Sequence, residues 1–198
     1  MIETARPSVW VGADPGGAGA FGVAIVTDGG EVTTKCVSCA DEAVDLISMR
    51  PSGVGVDAPL WWSSGRSAER EADRWIRKTY RIPSGTVQTP NSLRGAALVQ
   101  AAMFVQRLRE KFPNVPVTES HPKAIAIAFG GWDSPRILAL QDQDRAMLNE
   151  HERDAYLAAM SAREGFSGRW TRDLSLIRSQ GEQDTGSYWL APVHYFWP

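Results

Sequence analysis

The chain has 198 residues, 43% hydrophobic and 22% charged, with a net charge of −2. That length suffices for one sizeable core, and the balance excludes wholesale disorder and fibrous repeats. No run approaches the roughly 18 consecutive apolar residues of a membrane-spanning helix, and no basic segment leads into an apolar run at the start. One cytoplasmic domain over residues 1–198 is therefore expected, with its core at about 8–166, an extension over 167–198 packed on it, and no membrane partner.

Val9 to Ala13 reads as a short apolar strand. After Asp14-Pro15-Gly16-Gly17 comes a second apolar run, Phe21 to Thr27, and Asp28-Gly29-Gly30 turns it into a third, Glu31 to Val37. Together they predict an antiparallel meander. Ala40 to Met49 has helical spacing, with Ala43, Val44 and Ile47 on one side, and Pro51-Ser52-Gly53 precedes a brief buried strand, Val54 to Asp57. A helical crossover of this kind implies parallel pairing.

A loop with Trp61 and Trp62 leads to a polar helix from about Ser67 to Tyr80 and then to a connection, Pro83 to Pro90, long enough to carry function. Leu93 to Lys111 is an amphipathic helix and Val115 to Thr118 a strand that runs into Glu119-Ser120-His121-Pro122. Ala124 to Phe129 reads as a short helix, Arg136 to Glu150 as wholly or partly helical, and Arg153 to Arg163 as a helix of small residues. From Thr171 the chain reads as irregular, with an aromatic end, Tyr188 to Trp197, suited to packing back on the body. The order β-β-β-α-β-α-β-α is the ribonuclease H-like topology: an α/β fold with a mixed five-stranded sheet of strand order 3-2-1-4-5 and helices on both faces.

Asp14 closes the first strand, Asp57 the fourth and Glu119 the fifth. Ligands of open α/β sheets collect at such strand ends, and carboxylates brought together there repel one another unless a cation neutralises them. Hard oxygen donors of this kind suit Mg²⁺ or Mn²⁺. Asp154, at the start of the small-residue helix, has Ala158 and Ser161 on its own face, so that face can press on the sheet and bring the carboxylate to the cluster. Asp14 in a turn and Asp154 as a helix-start acid have ordinary structural explanations as well.

Arg66, Arg70, Arg74, Arg77 and Arg81 fall on one helical stripe. The stripe reads as a local phosphate track, with Arg70, Arg74 and Arg77 at its centre, or equally as a solvated face offset by Glu69, Glu71 and Asp73. Trp61 and Trp62 can stack bases or pack; His121 can carry a proton or start a helix, and His151 is open to the same two readings. Cys36 and Cys39 form a CxxC without a second ligand pair and read as two reduced cysteines. Gly17-Ala-Gly19-Ala-Phe-Gly22 matches a dinucleotide-binding pattern in letters, but the strand that follows lacks the helix which that pattern needs.

Gly12-Ala-Asp14-Pro-Gly, Val54-Gly-Val-Asp57-Ala-Pro-Leu60, Asp73-Arg74, Glu119-Ser-His-Pro122 and Arg153-Asp154-Ala155, in that order, resemble the DUF429 family of predicted ribonuclease H-like nucleases. More distantly, Asp14, Asp57 and the Asp-Ala helix are similar to the metal-binding pattern of RuvC-type Holliday-junction resolvases. The resemblance implies a metal-dependent nuclease in which Asp14, Asp57, Glu119 and Asp154 are the catalytic acids, with Asp14, Asp57 and Asp154 as ligands of Mg²⁺ or Mn²⁺. The expected partner is DNA or RNA, and a dimer is possible. The alternatives are a non-catalytic nucleic-acid-binding or scaffold protein on the same fold, and a phosphotransferase like the actin and sugar-kinase superfamily.

Overall fold

On the central strands bulky side chains and glycines share out the two faces of the sheet, and this decides what can cover each face. The structure, a computed structural model, describes residues 7–62, 69–88, 95–140, 149–177 and 190–198. Strands β1 (Val9–Asp14), β2 (Phe21–Thr27), β3 (Val32–Val37), β4 (Gly53–Val56) and β5 (Val117–Glu119) form one sheet in the order β3-β2-β1-β4-β5. The β1–β2 and β2–β3 pairs are antiparallel, and β1–β4 and β4–β5 are parallel. The fold is the ribonuclease H-like α/β fold that the element order predicts.

Helix α6 (Glu150–Phe166) lies on one face against β1, β2 and β4. It comes this close because Gly12 and Gly55 present no side chain there. A Cβ on Gly12 would collide with the Ala155 carbonyl, and one on Gly55 with the Ala158 carbonyl. The opposite face carries bulk: Phe21 meets Phe104 of helix α3 (Gly95–Lys111) with ring centroids 5.7 Å apart, and α1 (Ala40–Asp45) packs on α3.

Several boundaries differ from the sequence reading for local reasons. Helix α1 stops at Asp45 rather than Met49, and Lys111 donates to the Val44 carbonyl at 3.0 Å, satisfying one of the acceptors freed at the helix end. Helix α6 begins at Glu150 rather than Arg153 because Asn149 and Glu152 form a reciprocal capping box. Helix α2 covers Glu71–Tyr80, α4 Pro122–Ala128 with proline in its first turn, and α5 Pro135–Leu140. The start expected for α2, with Arg66, that expected for α3, and residues 141–148 of the Arg136 to Glu150 segment lie outside the described residues.

The tail is more regular than expected. β6 (Arg172–Asp173) pairs with β7 (Phe196–Trp197), and the chain before β7 runs beside β5, with Glu119 N–H donating to the His194 carbonyl at 2.8 Å and His194 N–H to Val117 at 3.0 Å. The Asp173 carboxylate accepts from the backbone N–H groups of Ser175 and Tyr195, which pins the crossing. Tyr195 and Trp197 are fully buried. Cys36 and Cys39 are free thiols. No helix among the described residues is long and apolar enough to cross a membrane.

Candidate active site

Asp14 is the last residue of β1, and Asp57 follows β4 directly. The Asp57 N–H donates to the Ala13 carbonyl at 2.8 Å, which locks the two strand ends side by side. Asp154, in the second turn of α6, is carried to the same place by the close seating of that helix, and its side chain is only 2% exposed. These three acids are the part of the sequence-predicted cluster that the fold brings together.

Burial, then the carboxylates of Asp57 and Asp154, push the Asp14 carboxyl up from its ordinary 3.8 to about 9. Burial and Asp57 likewise raise Asp154 to about 6, against the pull of Arg153 and Lys123. Each acid has a basic neighbour from a flanking helix. His151 Nδ1 lies 2.7 Å from Asp14 Oδ2, His121 Nδ1 3.5 Å from Asp57 Oδ1, and Arg153 Nη2 3.4 Å from Asp154 Oδ1. The Lys123 ammonium reaches Glu150 at 2.6 Å and Asp154 at 3.8 Å. A cavity of about 330 Å³ opens over Asp14 and Asp57, with Thr86, Gln88, His121 and Lys123 in its wall.

Asp14, Asp57 and Asp154 fit a hard divalent cation in chemistry and in charge: all are oxygen donors, and their mutual repulsion is the surplus a cation relieves. Among the described residues, no group of three or more His, Cys, Asp or Glu side chains is already placed to hold a metal ion. As it stands the site is an open carboxylate cluster.

Glu119 does not share in that cluster. Its two oxygens accept from Arg70 at 2.8 and 2.6 Å, and one also accepts from the Leu60 N–H at 3.0 Å. Arg70 in turn binds Asp73 through two bonds of 2.8 and 2.7 Å. Burial opposes the charge of Arg70, but Asp73 and Glu119 outweigh it and hold the guanidinium well above its ordinary value. This buried trio braces the Asp57-to-Trp61 wall of the cavity.

Arg70, Arg74 and Arg77 do not share one exposed face: Arg70 is turned inward, Arg77 is 15% exposed, and Arg74, 43% exposed, is ion-paired. Arg70 is 1% exposed; Arg74 pairs with Glu69 and Glu71, and Arg77 with Glu69 and the Val87 carbonyl. Helix α2 starts only at Glu71, so Arg70 sits in extended backbone at the cap and turns inward. Trp61 is buried, with its ring 4.1 Å from the Arg70 guanidinium and edge-on to Tyr195, so it braces the trio and offers no face to a base. Trp62 is half-buried beside it. His121 lines the cavity.

Lys123 escaped the sequence reading; it follows the Glu119-Ser-His-Pro122 motif directly, and that adjacency was the available signal. Asp73 was read as an offset to the arginines and as part of the Asp73-Arg74 element, but not as the partner of Arg70, although it lies three residues after Arg70 and in register to pair with it. No curated protein and no solved structure matches the chain. The model of the DUF429 family, described as a protein of unknown function, matches residues 12–182, further along the chain than the short motifs reach. That match takes in β2 to β5, the end of β1 and all three clustered acids, and the chain belongs to the DUF429 family.

Proposed function

We propose that the protein is a metal-dependent phosphodiesterase of the nuclease class acting on DNA, RNA or a nucleotide derived from them. The observation that carries this reading is the meeting of Asp14, Asp57 and Asp154 at the ends of adjacent parallel strands, where Asp57 and Asp154 raise the proton affinity of Asp14 and Asp57 raises that of Asp154. Asp14, Asp57 and Asp154 would hold Mg²⁺ or Mn²⁺, which would supply an activated water and stabilise the leaving oxygen. His151 orients the Asp14 carboxylate through their 2.7 Å contact. Seating α6 on Gly12 and Gly55 holds Asp154 in place. Glu119, paired with Arg70, positions the cavity wall through the Leu60 N–H, a supporting role in place of a catalytic one. The two free cysteines suit a reducing compartment, and we place the protein in the cytoplasm.

One observation favours a second reading, a non-catalytic binding protein: His151, Arg153 and Lys123 already stand beside the carboxylates. Hydrolysis of bis(p-nitrophenyl) phosphate with and without Mn²⁺ separates the two. The phosphodiesterase reading expects Mn²⁺-dependent release of nitrophenol by the wild type and none by a folded Asp14→Asn variant. Full activity in that variant removes the mechanism, and no activity in the wild type moves the assignment to the binding protein.

A further inference from the structure

Resting on the phosphodiesterase reading for its chemistry, we propose that the cavity over the carboxylates takes one nucleotide-sized phosphoester and that Lys123 is the ligand of its phosphate. The size is set by the cavity. At about 330 Å³ it lies at the small end of the roughly 300–1,000 Å³ typical of small-molecule sites. Asp14 and Asp57, each 16% exposed, form its floor. A single nucleotide or a frayed strand end reaches that floor; the grooved face of a duplex does not.

The charges near the rim agree. A duplex is held by arginines and lysines spread along its phosphates, whereas Arg70, Arg74 and Arg77 are each engaged with carboxylates of the protein itself. Lys123 is placed differently. It stands in the cavity wall, its side chain 47% exposed, and its closest partner is Glu150, a carboxylate that is itself more than half exposed. An ion pair so open to water is worth little, so the ammonium can leave Glu150 at small cost, while its longer contact of 3.8 Å to the buried Asp154 keeps it over the acids. Three N–H donors then face the cavity, and Glu150 returns to solvent.

A second feature of the wall points to a ligand independently. Among the described residues, His121 Nδ1 is sealed from solvent and has no close hydrogen-bond partner, its nearest contact being the long one of 3.5 Å to the Asp57 carboxylate. Buried polar atoms are nearly always paired, and a bound polar group or the water it brings supplies what is missing. Thr86 and Gln88, from the connection between α2 and α3, add neutral donors and acceptors on the same wall, suited to a sugar or base.

The test is calorimetric titration of the full chain with thymidine monophosphate, once in EDTA and once with Mn²⁺, for the wild type, Lys123→Gln and Lys123→Arg. Lys123 is half exposed, so both variants are expected to melt with the wild type. Loss of a charged hydrogen bond lowers affinity by about 10- to 100-fold in Lys123→Gln, and Lys123→Arg recovers most of it. A blunt DNA duplex at equal phosphate concentration does not displace the nucleotide. That pattern supports the proposal whether or not Mn²⁺ binds, so a failure of the metal mechanism is seen separately, as absent Mn²⁺ heat. No binding of thymidine monophosphate by the wild type, equal binding by Lys123→Gln, or displacement by the duplex overturns it.

Discussion

Replacing Arg70 with alanine separates a structural arginine from a phosphate-binding one. The guanidinium makes four bonds of 2.6 to 2.8 Å to Asp73 and Glu119 and is 1% exposed. Its removal leaves two buried carboxylates facing each other without a cation, and breaking a buried pair in this way costs about 3–5 kcal/mol. For a chain near 200 residues each kcal/mol moves the melting temperature by about 2–4 °C. A drop on the order of 6–20 °C is therefore expected by circular dichroism or calorimetry at neutral pH. Adding Glu119→Gln to Arg70→Ala should recover part of the loss, since one unpaired charge is then gone. A melting temperature unchanged by Arg70→Ala, together with weaker nucleic-acid binding and a shallower salt dependence, would show that the side chain faces solvent and holds phosphate after all.

The metal-free protein should lose stability as pH rises. The Asp14 pKa is about 9 in the folded state, above its ordinary 3.8, so the folded form keeps a proton that the unfolded chain gives up. This contribution is complete below about pH 4 and fades up to about pH 9, and Asp154, at about 6, adds an earlier loss. Melting curves in EDTA across that window should fall less for Asp14→Asn than for the wild type; parallel curves would refute the assignment. Gly12→Ala drives a methyl group into the Ala155 carbonyl, so it should cost about 3 kcal/mol or more and abolish Mn²⁺ binding by moving Asp154. Urea unfolding and metal titration check both effects, and a stable variant that still binds metal would contradict the close seating of α6. Tyr195→Phe removes a buried hydroxyl that has no hydrogen-bond partner among the described residues and should hold or raise stability by about 1 kcal/mol, whereas Trp197→Ala should lose about 3–5 kcal/mol. Equal losses in both, by chemical denaturation, would mean that the phenol is bonded.

Where a signal is local, the sequence carried it. The apolar runs of β1 and β2, with Asp-Pro-Gly-Gly and Asp-Gly-Gly between and after them, specify a meander by pattern and turn chemistry alone. Asp14, Asp57 and Asp154 were legible because each falls where a strand ends or a small-faced helix begins. The partner of Glu119 was not, since Arg70 lies 49 residues away and nothing in either neighbourhood records the pairing. The arginine stripe misled because helical spacing was extended back through Arg70, whereas the helix starts one residue later and that side chain points inward. The start of α6 was written in Asn149 and Glu152, a capping box passed over in favour of the run of small residues. Two-residue strands such as β6 and β7 have no periodicity to read, and only their pairing with each other, across the stretch of chain between Asp173 and Phe196, creates them.

The most direct test of the central claim is a calorimetric titration of Mn²⁺ into the wild type and an Asp14→Asn, Asp57→Asn double variant. Saturable binding by the wild type that disappears in the folded double variant is the predicted result. Absence of binding by the wild type, or binding that survives the double substitution, would contradict a metal site built on these carboxylates.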